Sequence, residues 1–394
     1  MDSYDIGIIG AGVVGCAVAR ELSHRNPSRP LRIIVLEQCS SAGCETSTRN
    51  SGVLHSGIHE SPGSLKSLLA LNGSAAAASY ALERGIPLLE TGMIIAFSWE
   101  DVRRGLWRDL SMLRRLWSHA RKNSIDIKFM SSKGLRLLEP NLHAGGGIFI
   151  PSVCVIDPKS FVQSLMTDSQ NQGVTFAFDH RVAAIDEEAG SYTVATDHRT
   201  IRTSCLINAA GLYADTVASL VLREHKYRIR PIRGEYYEVF APHKEPLISR
   251  LVYPALPSHA TGKGIHLSPR PNGQLFVGPN EVPVQDKRDY TAHKTPPDMF
   301  IQALRKFVPA LGECRLRWSY SGIRPSVITA DGCRSDFIVA VDRDSPPLVN
   351  LVGIESPGLS AALALARHVV DLPCINALTH PTDSSIPDGS RTHT

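Results

Sequence analysis

The N-terminal part of the chain alternates short apolar runs with a stretch of small and apolar residues. The runs Asp5–Gly10 and Leu31–Leu36 are typical of buried strands, and Val13–Leu22 between them is typical of a helix that packs on a sheet. A glycine-rich turn joins the first strand to this helix. The order of strand, turn, helix and strand predicts the βαβ unit of a parallel, doubly wound sheet.

The middle of the chain has a different pattern. A helix is predicted over Ser64–Arg84 and an amphipathic helix over Arg103–His119. Short strand-like segments separated by Pro and Gly turns then follow, namely Arg228–Ile232, Tyr236–Phe240, Leu247–Tyr253, Ile265–Ser268 and Gln274–Val277. Such a meander predicts a largely antiparallel second sheet.

Buried strand character returns at Phe337–Val341 and Leu348–Val352, before a helix over Leu359–Val370, so we expect the chain to re-enter its first domain. The predicted fold is α/β, with a Rossmann-type domain on a doubly wound parallel sheet interleaved with a mostly antiparallel α+β domain. We assign residues 1–90, 147–227 and 330–372 to the first domain and residues 91–146 and 228–329 to the second. Residues 376–394 are polar and predict a disordered tail.

Composition narrows the class of protein. At 394 residues, with 43% hydrophobic and 20% charged residues, the chain suits two globular domains and is neither disordered nor membrane-spanning in character. The net charge of +4 is small and spread along the chain, which disfavours nucleic acid but suits a small anionic substrate. The eight cysteines lack C-x-x-C spacing, which indicates a reducing compartment and no metal site.

The location follows from the same features. No apolar run is long enough to cross a bilayer, and the first strand leaves no room for a signal peptide before it. We therefore expect a cytoplasmic protein, with a mitochondrial or membrane-associated one as the alternative.

The first turn carries a specific motif, Gly10-Ala11-Gly12-Val13-Val14-Gly15. In G-x-G-x-x-G the first glycine makes the turn, the second admits a pyrophosphate and the third lets the helix pack closely, while the helix N-terminus faces the phosphates. Glu37 ends the second strand 22 residues after Gly15, where a carboxylate accepts hydrogen bonds from ribose hydroxyls. The motif predicts a dinucleotide site for either NAD or FAD.

Further segments resemble one family of flavoenzymes. They are Thr46–Ile58, Pro62–Leu68, Ile207–Asp215, Pro231–Tyr236, Val252–Pro254, Gly264–Leu267 and Gly278–Asn280. These segments are similar to the D-amino-acid-oxidase and glycerol-phosphate-dehydrogenase superfamily of FAD enzymes, and within it to the L-2-hydroxyglutarate dehydrogenase/oxidase group. The resemblance runs from residue 4 to about residue 372. It implies that the first domain binds FAD and that the second binds substrate.

The resemblance also implies which residues bind the cofactor. Ser47, Asn50, Ser51 and Gly52 would lie along the ribityl and isoalloxazine part of FAD. Ala210 and Gly211, after Ala209, would lie near the adenosine and pyrophosphate. Gly358, Leu359 and Ser360 open a helix whose positive end would face the N1/C2=O edge of the flavin.

The reaction that the resemblance implies is FAD-dependent oxidation of a small 2-hydroxy acid by hydride transfer to flavin N5. Such a reaction needs a cation for the carboxylate. Arg324 and Arg233 are the leading candidates because a guanidinium pairs with a carboxylate through two hydrogen bonds. We expect Arg324 to follow a strand over Arg317–Ile323 and Arg233 to lie at a turn between two strands. Either arginine can instead be a surface charge.

The reaction also needs a base for the hydroxyl proton. Histidine suits this role, and His266 is our first choice and His55 our second, although a histidine in a strand is more often a core residue. Tyr236 and Tyr253 would line the pocket or pack in the sheet. Lys66 would bind a second carboxylate or lie on a solvated helix face.

Two departures from the group concern the flavin loop and the choice of substrate. Arg49 stands where those enzymes carry a histidine before Asn-Ser-Gly, and the region between Tyr290 and Ser321 is shorter. Two other functions remain open: a flavin amine or amino-acid oxidase on the same fold, and a non-catalytic FAD-binding protein that acts through a partner. The electron acceptor, oxygen or quinone, is also open.

Overall fold

The structure is a computed structural model that describes residues 1–25, 30–103, 110–242, 245–256, 263–329 and 332–379. The strands are β1 (Asp2–Ile9), β2 (Ile33–Leu36), β3 (Val53–Leu54), β4 (Leu88–Leu89), β5 (Met93–Phe97), β6 (Lys128–Ser131), β7 (Gly146–Ile150), β8 (Cys154–Ile156), β9 (Thr175–Ala177), β10 (Val182–Glu188), β11 (Ser191–Thr196), β12 (Thr200–Asn208), β13 (Ile229–Phe240), β14 (Leu251–Pro254), β15 (His266–Pro269), β16 (Leu275–Gly278), β17 (Val282–Pro283), β18 (Arg315–Val327), β19 (Ile338–Asp344) and β20 (Pro347–Val352). The helices are α1 (Val13–His24), α2 (Leu65–Glu83), α3 (Trp99–Arg103), α4 (Leu110–Lys122), α5 (Ser132–Leu138), α6 (Pro158–Asn171), α7 (Ala214–Leu222), α8 (Pro297–Leu304), α9 (Gly358–Val370) and α10 (Pro373–Thr379).

The first large sheet has the βαβ unit at its centre. Strand β1 pairs in parallel with both β2 and β12, β2 pairs with β9, and β12 pairs with β20. Ile6 and Ile8 of β1 belong to a core with α1, α6 and α9, whereas Ile9 belongs to a second core with α7 and the β10–β11 hairpin. Helices therefore cover both faces, as a doubly wound sheet requires. The α/β prediction is confirmed.

The second large sheet is mostly antiparallel, in the order β17-β13-β16-β15-β14-β5-β7-β6, with β18 also paired to β13. Strand β14 pairs in parallel with β5. The long β13–β18 ribbon aligns Ile232 with Arg324 and Gly234 with Gly322. Apolar residues cover both faces of this sheet, so it has its own cores.

Strand bounds correct several expectations. The predicted strands Arg228–Ile232 and Tyr236–Phe240 form the single strand β13, because β18 pairs along its whole length. Arg233 therefore lies inside a strand, and the prediction of a turn there is wrong. Strand β18 likewise continues to Val327, so Arg324 lies within it rather than after it. The predicted strand Leu247–Tyr253 is shorter, since only Leu251–Pro254 pairs with neighbouring strands.

Two other segments differ from expectation. The amphipathic pattern over Arg103–His119 gives two helices, α3 and α4, and residues 104–109 lie outside the described part of the chain. The predicted disordered tail begins with four helical residues, because α10 continues to Thr379 and packs on α9. Residues 380–394 lie outside the described part.

The chain passes between the two large sheets several times, and we retain the interleaved domains as a proposal. Strand β7, which the proposed borders put in the first domain, pairs with β5 and β6 of the second sheet. In the described part of the chain no single helix has the length and apolar character to cross a membrane. Helices α9 and α10 reach the required length and apolar character only when they are taken together, and a bend of 73° separates them.

Candidate active site

The turn between β1 and α1 has no room for side chains. Gly10 has a φ of +103°, and a Cβ built there would lie 2.6 Å from the carbonyl oxygen of Ala209. A Cβ on Gly15 would lie 1.9 Å from the oxygen of Gly10, and one on Gly12 would lie 2.9 Å from Ser47 Oγ. These glycines thus let α1 pack directly on the turn and leave its backbone open to a ligand.

Glu37 holds this turn from the end of β2. Its Oε2 accepts a hydrogen bond from the backbone N–H of Ala11 at 2.7 Å, and its Oε1 accepts one from the N–H of Cys39 at 2.9 Å. Each carboxylate oxygen has a further lone pair for another donor. Glu37 lines a cavity of about 830 Å³ together with Gly10, Ala210 and Gly211.

The loop after Thr46 is folded by its own side chains. Ser47 Oγ accepts a hydrogen bond from the N–H of Val13 at 2.9 Å. The amide nitrogen of Asn50 donates to the carbonyl oxygens of Thr46 and Ser47, and its oxygen accepts from the N–H of Gly52. The Asn50 side chain therefore shapes the loop, and Asn50 lines the cavity beside it.

The same loop is joined to the N-terminus of α9. Ser360 Oγ accepts a hydrogen bond from the N–H of His55 at 2.9 Å and donates to the carbonyl oxygen of Val53 at 3.2 Å. The Ser360 hydroxyl therefore makes its hydrogen bonds with the protein backbone. Gly358 and Leu359 lie beside it along the cavity.

Most of the predicted cofactor and substrate residues line two adjoining cavities, whereas Ala11, Gly15, Gly52 and Arg233 are not among the residues that line them. The second, of about 560 Å³, is lined by Val14, Ser47, Asn50, Ser51, Gly358, Leu359 and Ser360, and also by His55, Lys66, Tyr236, Tyr253, His266 and Arg324. Both cavities include Gly12, Ser47 and Gly211, so they meet at the glycine turn. The result is one long cleft with Glu37 near one end and a histidine cluster at the other, a shape that fits an extended dinucleotide.

The histidine cluster surrounds the buried Tyr253. The ring of His266 stacks on it with centroids 3.9 Å apart, and the rings of His55 and His59 lie 6.4 and 6.1 Å away. His266 Nδ1 is 3.1 Å from the carbonyl oxygen of Gly264. Because a carbonyl oxygen only accepts, Nδ1 carries the proton and Nε2 is the bare nitrogen. That Nε2 is buried and has no hydrogen-bond partner among the described residues.

Burial keeps these histidines neutral. It lowers the pKa of His266 to about 3, and the positive charges of Arg324 and Lys263 act in the same direction. The pKa of His59 is lowered to about 3 and that of His55 is also well below 6.5, again mainly by burial. A neutral imidazole with a free Nε2 is able to accept a proton from a ligand in the cavity.

Two arginines share one carboxylate at the edge of this cavity. Arg324 Nη1 lies 2.6 Å from Glu281 Oε1, and Arg334 Nη2 lies 2.7 Å from Glu281 Oε2. Lys263 lies nearby on the cavity wall, 3.2 Å from Glu60 and 3.1 Å from Ser356 Oγ. Sequence reasoning missed Arg334, Glu281 and Lys263. They lie in loops and a short connection, where no sequence motif indicates a binding residue.

Arg233 lies away from the predicted substrate site. Its side chain is 1% exposed, and it is paired with Asp289 at 2.7 Å and with Glu235 at 3.5 Å. It is absent from the walls of both described cavities. The pairing of β13 with β18 turns this side chain away from the cleft, and its charge is neutralised by the two carboxylates.

Lys66 lines the cavity, but its charge is paired with that of Glu355. Its Nζ donates to Glu355 Oε1 at 3.0 Å and to the carbonyl oxygen of Ser335 at 2.8 Å, and the side chain is buried. The pair with Lys66 is one reason why the pKa of Glu355 is held below its usual value. Lys66 therefore fixes the segment before α9 rather than offering a free cation.

Tyr236 and Arg49 lie at the loop side of the cavity. The Tyr236 ring stacks on Tyr320 with centroids 4.7 Å apart, and the Tyr320 hydroxyl donates to the carbonyl oxygen of Asn50 at 2.9 Å. The Arg49 guanidinium lies 4.7 Å from the ring centroid of Tyr290. Within the described residues no group of three or more His, Cys, Asp or Glu side chains could hold a metal ion.

Comparison with known proteins agrees with this geometry. The profile of the DAO family, FAD dependent oxidoreductase, matches residues 5–372. The chain is 28% identical to a glycerol 3-phosphate dehydrogenase of Caloramator mitchellensis (94% of this chain, 73% of that protein). It is 30% identical to a mitochondrial L-2-hydroxyglutarate dehydrogenase of Arabidopsis thaliana (94% and 83%).

A solved structure shows the same similarity. The L-alpha-glycerophosphate oxidase of Mycoplasma pneumoniae, with FAD bound, superposes with a TM-score of 0.83 at 28% identity, over 95% of each chain. The glycine turn, the Glu37 carboxylate and the long cleft fit FAD, so the predicted cofactor is confirmed as FAD and not NAD. The chain belongs to the DAO family of FAD dependent oxidoreductases.

Proposed function

We propose that this enzyme oxidises a small 2-hydroxy acid, of the L-2-hydroxyglutarate kind, to the 2-oxo acid. One observation carries the proposal: His266, whose Nε2 has no hydrogen-bond partner among the described residues, lines the same cavity as Arg324. A base for a hydroxyl proton and a cation for a carboxylate are the two groups that this oxidation requires.

Arg324 binds the carboxylate next to the reacting carbon in this proposal. Its Nη1 pairs with Glu281, which leaves the other N–H groups of the guanidinium for the substrate. Arg334 on the same carboxylate, and Lys263 on the other wall, are suited to a second anionic group. The substrate is thereby oriented with its hydroxyl toward the histidine cluster.

His266 then removes the hydroxyl proton at Nε2. The hydrogen bond from Nδ1 to the carbonyl oxygen of Gly264 fixes the tautomer and supports the positive charge that develops on the ring. The negative charge of a bound substrate raises the pKa of His266 from its low resting value. His55, with a buried and unpartnered Nδ1 in the described structure, is the second candidate for this base.

The remaining residues hold the cofactor and exclude water. Bound FAD supplies the acceptor for the hydride that leaves the hydroxyl carbon. The glycine turn and Glu37 are suited to the pyrophosphate and ribose, and the N-terminal end of α9 favours negative charge on the flavin. The buried ring of Tyr253 keeps water from the histidine cluster.

Glycerol 3-phosphate is a second candidate substrate. The Caloramator and Mycoplasma proteins carry names for chemistry on that compound, and two arginines on one carboxylate would also hold a phosphate. This molecule likewise loses a hydride from a hydroxyl carbon beside an anionic group. The two substrates therefore need an experimental distinction.

Anaerobic reduction of the bound flavin makes that distinction. We expect L-2-hydroxyglutarate to bleach the flavin absorbance faster than glycerol 3-phosphate, and glycine, sarcosine and D-amino acids to leave it unchanged. Faster bleaching by glycerol 3-phosphate or by an amine would overturn the proposal. Bleaching by dithionite alone would assign the protein a non-catalytic role.

A further inference from the structure

Positive charge is concentrated in one excursion of the chain. Residues 99–138 contain ten Lys and Arg against four Asp and Glu, whereas the rest of the chain contains thirty-two against thirty-four. The expectation that the charge is spread along the sequence is therefore wrong. This segment holds α3, α4, β6 and α5, and β6 is the last strand in the order of the second sheet.

Helix α4 has two different sides. Leu116 and Ala120 are buried in a core with Ile148 of β7. Arg114, Trp117 and Arg121 follow one another at helical spacings of three and four residues and are exposed. These last three residues define the outer face of α4.

The outer face combines an indole with cations. Trp117 is 49% exposed, and the guanidinium of Arg121 lies 5.3 Å from the centroid of its ring. The helix also carries Arg115 and Lys122 and contains no acidic residue. A tryptophan between arginines on an amphipathic helix is the composition of an interfacial element, in which the indole enters the headgroup region and the cations meet anionic lipids.

We propose that the outer face of α4 docks on an anionic lipid surface. Charge complementarity selects this partner, since the face is wholly basic while the remainder of the chain is close to neutral. The exposed indole suits the headgroup region of a bilayer, because a ring with an apolar body and a polar N–H lies at the boundary between hydrocarbon and water.

The inner side of α4 connects this face to the candidate active site. The carbonyl oxygen of Ile58 lies 3.1 Å from His119 Nδ1, which therefore donates to it. Directly after the helix, Asn123 Nδ2 donates to Ser67 Oγ at 2.9 Å, and Arg115 lines the 560 Å³ cavity. Docking would therefore place a bilayer beside the substrate cavity, whichever substrate the enzyme takes.

Vesicle sedimentation of the FAD-loaded enzyme tests the proposal. We expect binding to vesicles of phosphatidylcholine with one fifth phosphatidylglycerol, and weak binding to phosphatidylcholine alone. Because each cation near an anionic surface contributes roughly fivefold, Arg114→Glu with Arg121→Glu should lower the partition coefficient by more than about tenfold. Trp117→Ala should lower it less and reduce the blue shift of tryptophan fluorescence on binding.

The control changes the same charge elsewhere. Lys159→Glu with Arg367→Glu alters two exposed cations on α6 and α9 and should leave binding unchanged. Flavin absorbance and activity in solution report whether each variant is folded, and Arg114→Gln with Arg121→Gln provides a milder second variant. Equal loss in the control, retained binding in both α4 variants, equal binding to neutral vesicles, or no binding by the wild type would each overturn the proposal.

Discussion

The two ring nitrogens of His266 lie in different environments, one bonded to Gly264 and one bare. If Nε2 is the base, His266→Ala should slow flavin reduction by roughly 10²–10⁴-fold and leave substrate affinity nearly unchanged, because a base acts in the transition state. Rapid-mixing measurements of flavin absorbance give both values. Replacement of the exposed His198 is the control. Normal reduction in His266→Ala together with slow reduction in His55→Ala would transfer the role to His55.

Arg324 and Arg317 belong to the same strand but have different partners. Arg324 pairs with Glu281 at the cavity, whereas Arg317 is exposed and pairs with Glu238. Arg324→Ala should raise KM by about 10- to 100-fold with a smaller effect on kcat, since a charged hydrogen bond to substrate is lost. Arg324→Lys should recover part of the loss, because lysine keeps the positive charge but lacks the planar guanidinium that makes two hydrogen bonds to a carboxylate. Steady-state kinetics of these variants and of Arg317→Ala decide the point, and an equal effect of Arg317→Ala would contradict it.

Glu37 belongs to the cofactor end of the cleft. Glu37→Ala should weaken FAD binding by about 10- to 100-fold, because the ribose loses a charged acceptor and the N–H of Ala11 loses its partner. The rate of flavin reduction at saturating FAD should not change. Equilibrium titration with FAD measures the first quantity and stopped-flow absorbance the second. An unchanged dissociation constant would show that Glu37 serves only the turn.

At the scale of elements, the contact between β1 and α1 depends on a missing side chain. Gly15→Ala should lower the melting temperature and prevent FAD binding, because its Cβ would lie 1.9 Å from the oxygen of Gly10 and force α1 away from the turn. Gly312→Ala is the matched control, since nothing lies within 4 Å of a Cβ there. Thermal unfolding and bound flavin per protein are the two measurements. A yellow Gly15→Ala protein of normal stability would refute this account of the turn.

At the scale of the whole molecule, the buried histidines connect stability to pH. The pKa values of His55, His59 and His266 are lowered in the folded state, to about 3 for the last two, so the unfolded chain binds more protons than the folded chain below about pH 6.5. Stability should thus decrease as pH falls below about 6.5, by up to ~1.4 kcal/mol per pH unit for each histidine. Glu45, whose pKa burial raises to about 7, acts in the opposite direction, whereas His119, whose pKa burial lowers, acts in the same direction as these three histidines.

Urea unfolding at pH 7 and pH 5 measures this dependence. Replacing His59 with phenylalanine removes one of the three groups and should reduce the difference in unfolding free energy between the two pH values. An identical difference in the variant would mean that His59 titrates alike in the folded and unfolded protein, which contradicts its lowered pKa.

The sequence by itself determined the features that are written in neighbouring residues. Alternating strand, glycine turn and helix fixed the βαβ unit, because steric fit at Gly10 and Gly15 is a local property of the backbone. Glu37 could be placed because it directly follows a strand. The ordered motifs identified the FAD family over nearly the whole chain. By contrast, pattern could not show that two short strands are the single strand β13.

Only the tertiary structure decided which charged groups face the cleft. Arg233 and Arg324 looked equivalent in sequence, but the register of β13 with β18 buries Arg233 against Asp289 and leaves Arg324 at the cavity. Glu281, Arg334 and Lys263 reach the same cavity from connections far apart in the chain. The physical reason is that the position of a side chain in a cleft depends on strand register and loop packing between distant segments, whereas a local pattern reports only the conformation of its own backbone.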